Sequence, residues 1–134
     1  MKTIKVIIEK SGTGYSAYIP DLPGCVMTGS CVDEIRNDLS GVIELHLEGM
    51  KEDGIRMPVI FDSEYQVIYS YDVETFLSYY NKIFTRRALS RITGINESLL
   101  SQYASGLKHP RAAQAKKIEK GLHQLARELL QVSL

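Results

Sequence analysis

Hydrophobic and polar positions alternate with two different periods along this chain, and the period changes near residue 72. Residues 3–9 (TIKVIIE) are rich in β-branched side chains and predict a strand. Ser11-Gly12-Thr13-Gly14 predicts a turn, and residues 15–19 (YSAYI) a second strand, so the two should form an antiparallel hairpin. Pro20, Pro23 and Gly24 bracket an irregular loop, after which residues 25–28 resume as a short strand. A helix should then begin at Ser30 or Cys31. Its apolar positions Ile35, Leu39, Val42, Ile43, Leu47 and Met50 fall at steps of three and four, and Asp53-Gly54 ends it. Residues 65–69 (YQVIY) predict a fourth strand, with Tyr65, Val67, Tyr69 and Tyr71 on one side of the pleat.

From Asp72 onward only helical periods appear. Asp72 should cap a helix carrying Val73, Phe76, Leu77 and Tyr80 on one face. Thr85 should cap a second, with Ala88, Leu89 and Ile92 inward. Gly94-Ile95-Asn96 predicts a tight turn, and Asn96 should cap a third helix that Gly106 stops. A fourth helix is expected from about Arg111 and a fifth up to about Val132, making five short helices in a compact bundle. The pattern thus predicts an α+β domain over residues 1–71, a small antiparallel sheet crossed by one helix, followed by an all-α domain over residues 72–134.

Charge sharpens the division. The 134 residues carry 16 Lys/Arg and 16 Asp/Glu. Residues 1–80 hold six of the basic and thirteen of the acidic groups; residues 81–134 hold ten basic groups against Glu97, Glu119 and Glu128. A basic second module suits a polyanion, and an acidic first module suits a basic partner. Cys25 and Cys31 would stand about 20 Å apart in an extended segment, beyond disulfide reach, and read as small packing residues. His46, His109 and His123 are isolated, so neither a metal site nor a cofactor is expected. No apolar run reaches the roughly 18 residues of a membrane helix, and the first residues lack a signal-peptide core, so a cytoplasmic location is expected.

The segment TRRALSRITGINESLLSQYASGLKHPR carries the strongest motif. Ser90 is the small residue where two steeply crossing helices touch, Gly94 opens the turn, and Ile95, Leu100 and Tyr103 point back to the core. Asn96, Glu97, Ser98, Ser101 and Gln102 then lie on the open side, able to bond base edges, with Arg86, Arg87, Arg91, Lys108 and Arg111 placed to meet phosphates. The segment resembles the Cro/repressor-type helix-turn-helix family over residues 72–130. Two positions depart from that pattern: Ser90 where alanine is usual, and Thr93 where an aliphatic is usual, with Ile92 expected to take over the packing.

The string Pro20-Asp21-Leu22-Pro23-Gly24-Cys25, followed by a helix ending E-L-H-L-E and then E-D-G, resembles the HicB antitoxin family over residues 5–58. Cys31 stands where many members have a capping threonine, so Ser30 with Asp33 should cap instead. The resemblance implies a partial RNase H-like first domain that binds a HicA-type toxin, a small basic mRNA-cleaving protein. It also implies a DNA-binding second domain that represses the shared operon. Candidate toxin-facing residues are Tyr15, Tyr18, Asp21, Asp33, Glu34, Asp38, Glu44 and Glu48, while the 20–24 string reads as a structural turn. Catalysis is not expected, because the acids lie on one helix exterior and on scattered turns instead of converging. A homodimer or homotetramer is expected, because two half-sites multiply affinity and Ile118, Leu122, Leu125, Leu129 and Val132 form an apolar stripe. The rival reading is a stand-alone transcription regulator whose first domain senses a ligand or oligomerises.

Overall fold

The computed structural model describes residues 1–134 and divides them into two units, Met1–Asp72 and Val73–Leu134. The first unit is a four-stranded sheet in the order β3-β2-β1-β4, built from β1 (Lys2–Ser11), β2 (Gly14–Tyr18), β3 (Val26–Gly29) and β4 (Tyr65–Tyr71). Helix α1 (Val32–Glu52) joins β3 to β4. The β1–β2 and β2–β3 pairs are antiparallel, but β1 and β4 are parallel. The sheet is therefore mixed, not antiparallel as the pattern suggested. The cause is topological. Strand β3 ends at the same end of the sheet as β1, and α1 carries the chain back to where β1 began, so β4 must run alongside β1.

One face of this sheet is closed. Ile4, Val6 and Ile8 of β1 and Ala17 of β2 are buried on it with Val32, Ile35, Leu39 and Ile43 of α1. Register places Val67, Tyr69 and Tyr71 on the same face, opposite Ile4, Val6 and Ile8. Arg36 of α1 lies 4.3 Å from the centre of the Tyr69 ring and donates to the Tyr71 hydroxyl at 3.0 Å, so its charge is held over the aromatic row of β4. The 20–24 string forms two successive turns, Leu22 N–H donating to Ile19 and Cys25 N–H to Leu22. The fully buried Leu22 anchors them.

The second unit contains α2 (Val73–Tyr79), α3 (Arg86–Thr93), α4 (Glu97–Ala104) and α5 (Ala112–Leu129). Its core is Leu77, Leu89, Ile95, Leu100, Tyr103 and Ile118. The fourth and fifth helices expected from the sequence are one continuous helix, α5. No proline interrupts residues 112–129, and the glycine within it, Gly121, lies where a Cβ would stand 2.5 Å from the Ile92 carbonyl oxygen. Gly121 thus serves a close approach of α5 to the end of α3.

Candidate partner and nucleic-acid surfaces

The start of α1 builds one surface. Cys31 takes the N-cap position with no side-chain bond, and Ser30 pairs with Glu34 instead of Asp33. The Ser30 hydroxyl donates to Glu34 Oε2 at 2.6 Å, and the Ser30 N–H donates to the same oxygen at 2.9 Å. These two donors, the hydroxyl foremost, hold the Glu34 carboxyl below the usual carboxylate range. Cys31 is exposed and does not pack; Cys25 is buried, which pushes its thiol up, and both are free. The charged form of Glu34 is the one favoured by folding. Its contribution is full above the ordinary glutamate range and is lost as pH falls through the lowered native value. Thermal unfolding should therefore find Glu34→Gln less stable than the parent at pH 7. The difference should vanish in acid below that value; a gap independent of pH would sink this account of the cap.

Asp33, Glu34, Asp38, Glu44 and Glu48 are all exposed on α1, and the residues they alternate with face the sheet. Five carboxylates thus share the outer side of one helix. Glu44 also helps raise the Tyr65 hydroxyl, after the larger effect of burial. Tyr15 pairs with Lys10 and Gly29, which puts it on the α1 side of the pleat beside the helix start. Tyr18 pairs with Ile7 and Val26 on the opposite face, where Val26 and Ile68 are exposed. The structure therefore does not bring Tyr18 together with the α1 carboxylates. Asp21 is exposed in the turn after β2. An open groove of about 600 Å³ adjoins the end of α1, lined by Leu47, Glu48, Lys51, Ile55, Arg56 and Met57 among others.

The second surface is built by α3 and α4. Thr85 Oγ1 accepts from Ala88 N–H at 3.0 Å, and Asn96 Oδ1 accepts from Leu99 N–H at 2.8 Å, so both helices carry side-chain N-caps. Gly94, at φ +75°, ends α3 in the left-handed region that glycine adopts without strain. Thr93 keeps the inward slot before it, 5% exposed. Its hydroxyl donates to the Leu89 carbonyl at 2.7 Å and accepts from Ile95 N–H at 3.2 Å. The expectation that Ile92 replaces it is corrected: a threonine can fill a buried slot when its hydroxyl is satisfied by the preceding turn. Ser90 is half-buried, and Ile95, Leu100 and Tyr103 are core residues.

This arrangement leaves Asn96, Glu97, Ser98 and Ser101 exposed, with Gln102 half-buried. Glu97 lies in the first turn of α4, where a carboxylate complements the helix dipole. Arg87, Arg91, Lys108 and Arg111 are exposed. Arg86 is half-buried, and its Nη1 is enclosed without an acceptor, so it is less available to a ligand than its neighbour Arg87. Sequence reasoning missed a row of basic residues on α5, Lys116, Lys120, His123 and Arg127, whose spacing of four, three and four was the available signal. No group of three or more His, Cys, Asp or Glu is placed to hold a metal ion, and no helix is long and apolar enough to cross a membrane.

Comparison with known proteins gives a family match over residues 4–99, to the HicB-like antitoxins of bacterial toxin–antitoxin systems. A 14.9 kDa protein of the rep-hol intergenic region of Haemophilus phage HP1 is 38% identical over 53 residues, 40% of this chain and 40% of the phage protein. A UPF0150 protein of Helicobacter pylori is 38% identical over 50 residues, 37% of this chain and 69% of that protein. No solved structure matches.

Proposed function

Because the chain belongs to the HicB-like antitoxins of bacterial toxin–antitoxin systems, we propose that its first unit neutralises a HicA-type mRNA-cleaving toxin and that its second unit represses its own operon by binding operator DNA. Membership supports an antitoxin role, suggests a regulatory one, and implies a toxin as partner. The observation that carries the finer reading is the partition of charge. Met1–Asp72 holds six Lys/Arg against twelve Asp/Glu, and Val73–Leu134 holds ten against four. A toxin that grips RNA presents positive charge. An acidic helix laid over that surface competes with RNA for it, both electrostatically and sterically.

The capped pair α3 and α4 supports the second half of the proposal. In this reading α4 enters a major groove, with Ser98, Ser101 and Gln102 toward base edges and Arg87 and Arg91 toward phosphates. Asn96 contributes chiefly as the cap that orients α4, and the whole constellation corresponds to a Cro/repressor-type helix-turn-helix. Of the expected apolar stripe, Ile118 is buried and Leu129 is exposed on α5, while Val132, also exposed, lies beyond the end of the helix. A second copy of the chain pairing there would set two recognition helices on half-sites roughly 34 Å apart.

Separation of the two activities tests the proposal. Asp38→Lys combined with Glu48→Lys should abolish neutralisation of the co-expressed toxin and leave operator binding intact. Ser98→Ala and Gln102→Ala should each weaken operator binding by about tenfold with little effect on random duplex. Arg87→Ala should weaken both and lower the salt slope by about 1. Equal losses on operator and random duplex for all three would refute the placement of α4. Undiminished neutralisation by the charge-reversed helix would refute the toxin face.

A further inference from the structure

Helix α5 carries basic side chains in a line. Lys116, Lys120, His123 and Arg127 recur at steps of four, three and four, which superimposes them on one face of a 3.6-residue helix. All four are exposed, whereas Ile118, Gly121 and Leu122, on the other side, turn to the core. The row spans about 16 Å at 1.5 Å per residue. It borders a shallow depression of about 310 Å³ together with a single acid, Glu119, which is taken up by Lys116 at 3.1 Å. Lys120 and Arg127 have no such partner. They therefore stand two turns apart, about 10 Å along the axis, as exposed charges without an ion-pair partner. Such an arrangement is explained by a ligand that supplies the missing negative charge.

We propose that this face of α5 is a docking line for the phosphate backbone of duplex DNA, separate from the surface of α3 and α4. The inference extends the DNA-binding reading above. Phosphates follow one another at about 3.4 Å along each strand, so the row of about 16 Å runs alongside about five of them, and the exposed Lys120 and Arg127 can each meet one. Helix α3 packs against the core side of α5, with the Ile92 carbonyl oxygen against Gly121. The row therefore faces away from α3, and the duplex it meets is a flanking or neighbouring stretch, not the one read by α4.

The test is binding of the full chain to a random-sequence duplex of about 40 base pairs between 50 and 200 mM salt. Lys120→Ala with Arg127→Ala should reduce the salt slope by about 2 and the affinity at 0.1 M by about tenfold or more, each phosphate contact being worth about 0.9 in slope. Lys120→Arg with Arg127→Lys should retain both, and an unchanged circular dichroism spectrum shows the unit still folded. If the double alanine variant binds like the parent while Arg87→Ala loses slope, this inference fails and the α3–α4 reading stands. If only the double variant loses slope, the inference stands and the α3–α4 reading falls. Absence of duplex binding by the parent chain overturns both. Unchanged DNA binding with loss of self-association at low salt would assign the row to an acidic protein surface and overturn the proposal.

Discussion

Leu100→Ala is expected to unfold the second unit at physiological temperature while the first unit keeps its own transition. Leu100 is fully buried among Leu77, Leu89, Ile95, Tyr103 and Ile118. Truncating a leucine in such a place costs about 3 kcal/mol, the lost transfer energy plus the cavity left behind. A unit of about sixty residues buries too little surface to absorb that loss comfortably. The core of the first unit, around Ile4, Val6, Ile8, Ile35 and Ile43, contains none of these side chains. Thermal denaturation followed by helical circular dichroism should show an early transition moved far down, with a later one unmoved. Operator binding should disappear and toxin neutralisation persist. A single transition shifted as a whole would show that the two units unfold as one.

Gly121→Val is the second large effect, a loss of about 2–3 kcal/mol from the second unit. The Cβ alone would stand 2.5 Å from the Ile92 carbonyl oxygen and 3.1 Å from its carbon, and backbone cannot swing aside as a flexible side chain can. Either α5 shifts away from α3 or the end of α3 deforms, which is the ordinary cost of overpacking with little relief available. Helix propensity works in the other direction: alanine gains about 1 kcal/mol over glycine in a helix interior. Gly121→Ala should therefore lose less than valine does. Gly41 in α1 is the control, because a Cβ there meets nothing within 4 Å. Gly41→Ala should raise stability by about 0.5–1 kcal/mol. Chemical denaturation of the three variants measures the contrast. A Gly121→Val chain as stable as its parent would mean that α5 is free to move off α3.

What local patterns reveal is visible in the caps. Thr85 and Asn96 were legible as N-caps because the side chain bonds an amide three residues on, a contact that one turn of chain contains. Strands β1 to β3 were legible for a similar reason, since adjacent short strands with a turn between them pair with their neighbours. The closest miss of this kind was the partner of Ser30. Asp33 and Glu34 both lie within reach in sequence, and the bond goes to Glu34, whose longer side chain returns to the residue before the cap.

The candidate surfaces divide along the same line. Periodicity alone placed Glu34, Asp38, Glu44 and Glu48 outside the apolar stripe of α1, because a helix converts sequence spacing into a face. It could not assign Tyr18 to the far side of the sheet, since which face of a strand is covered depends on where α1 lies. By itself the sequence determined the segregation of charge, the four strands, helix α1, the starts of α2, α3 and α4, and the turn at Gly94, all consequences of contacts within a few residues. Only the tertiary structure decided that β4 runs parallel to β1, that Thr93 keeps its buried slot, and that α5 continues unbroken past a glycine held against Ile92. Each of these depends on groups far apart in the chain, and such pairings are set by how the elements close over a core rather than by the pattern of any one of them.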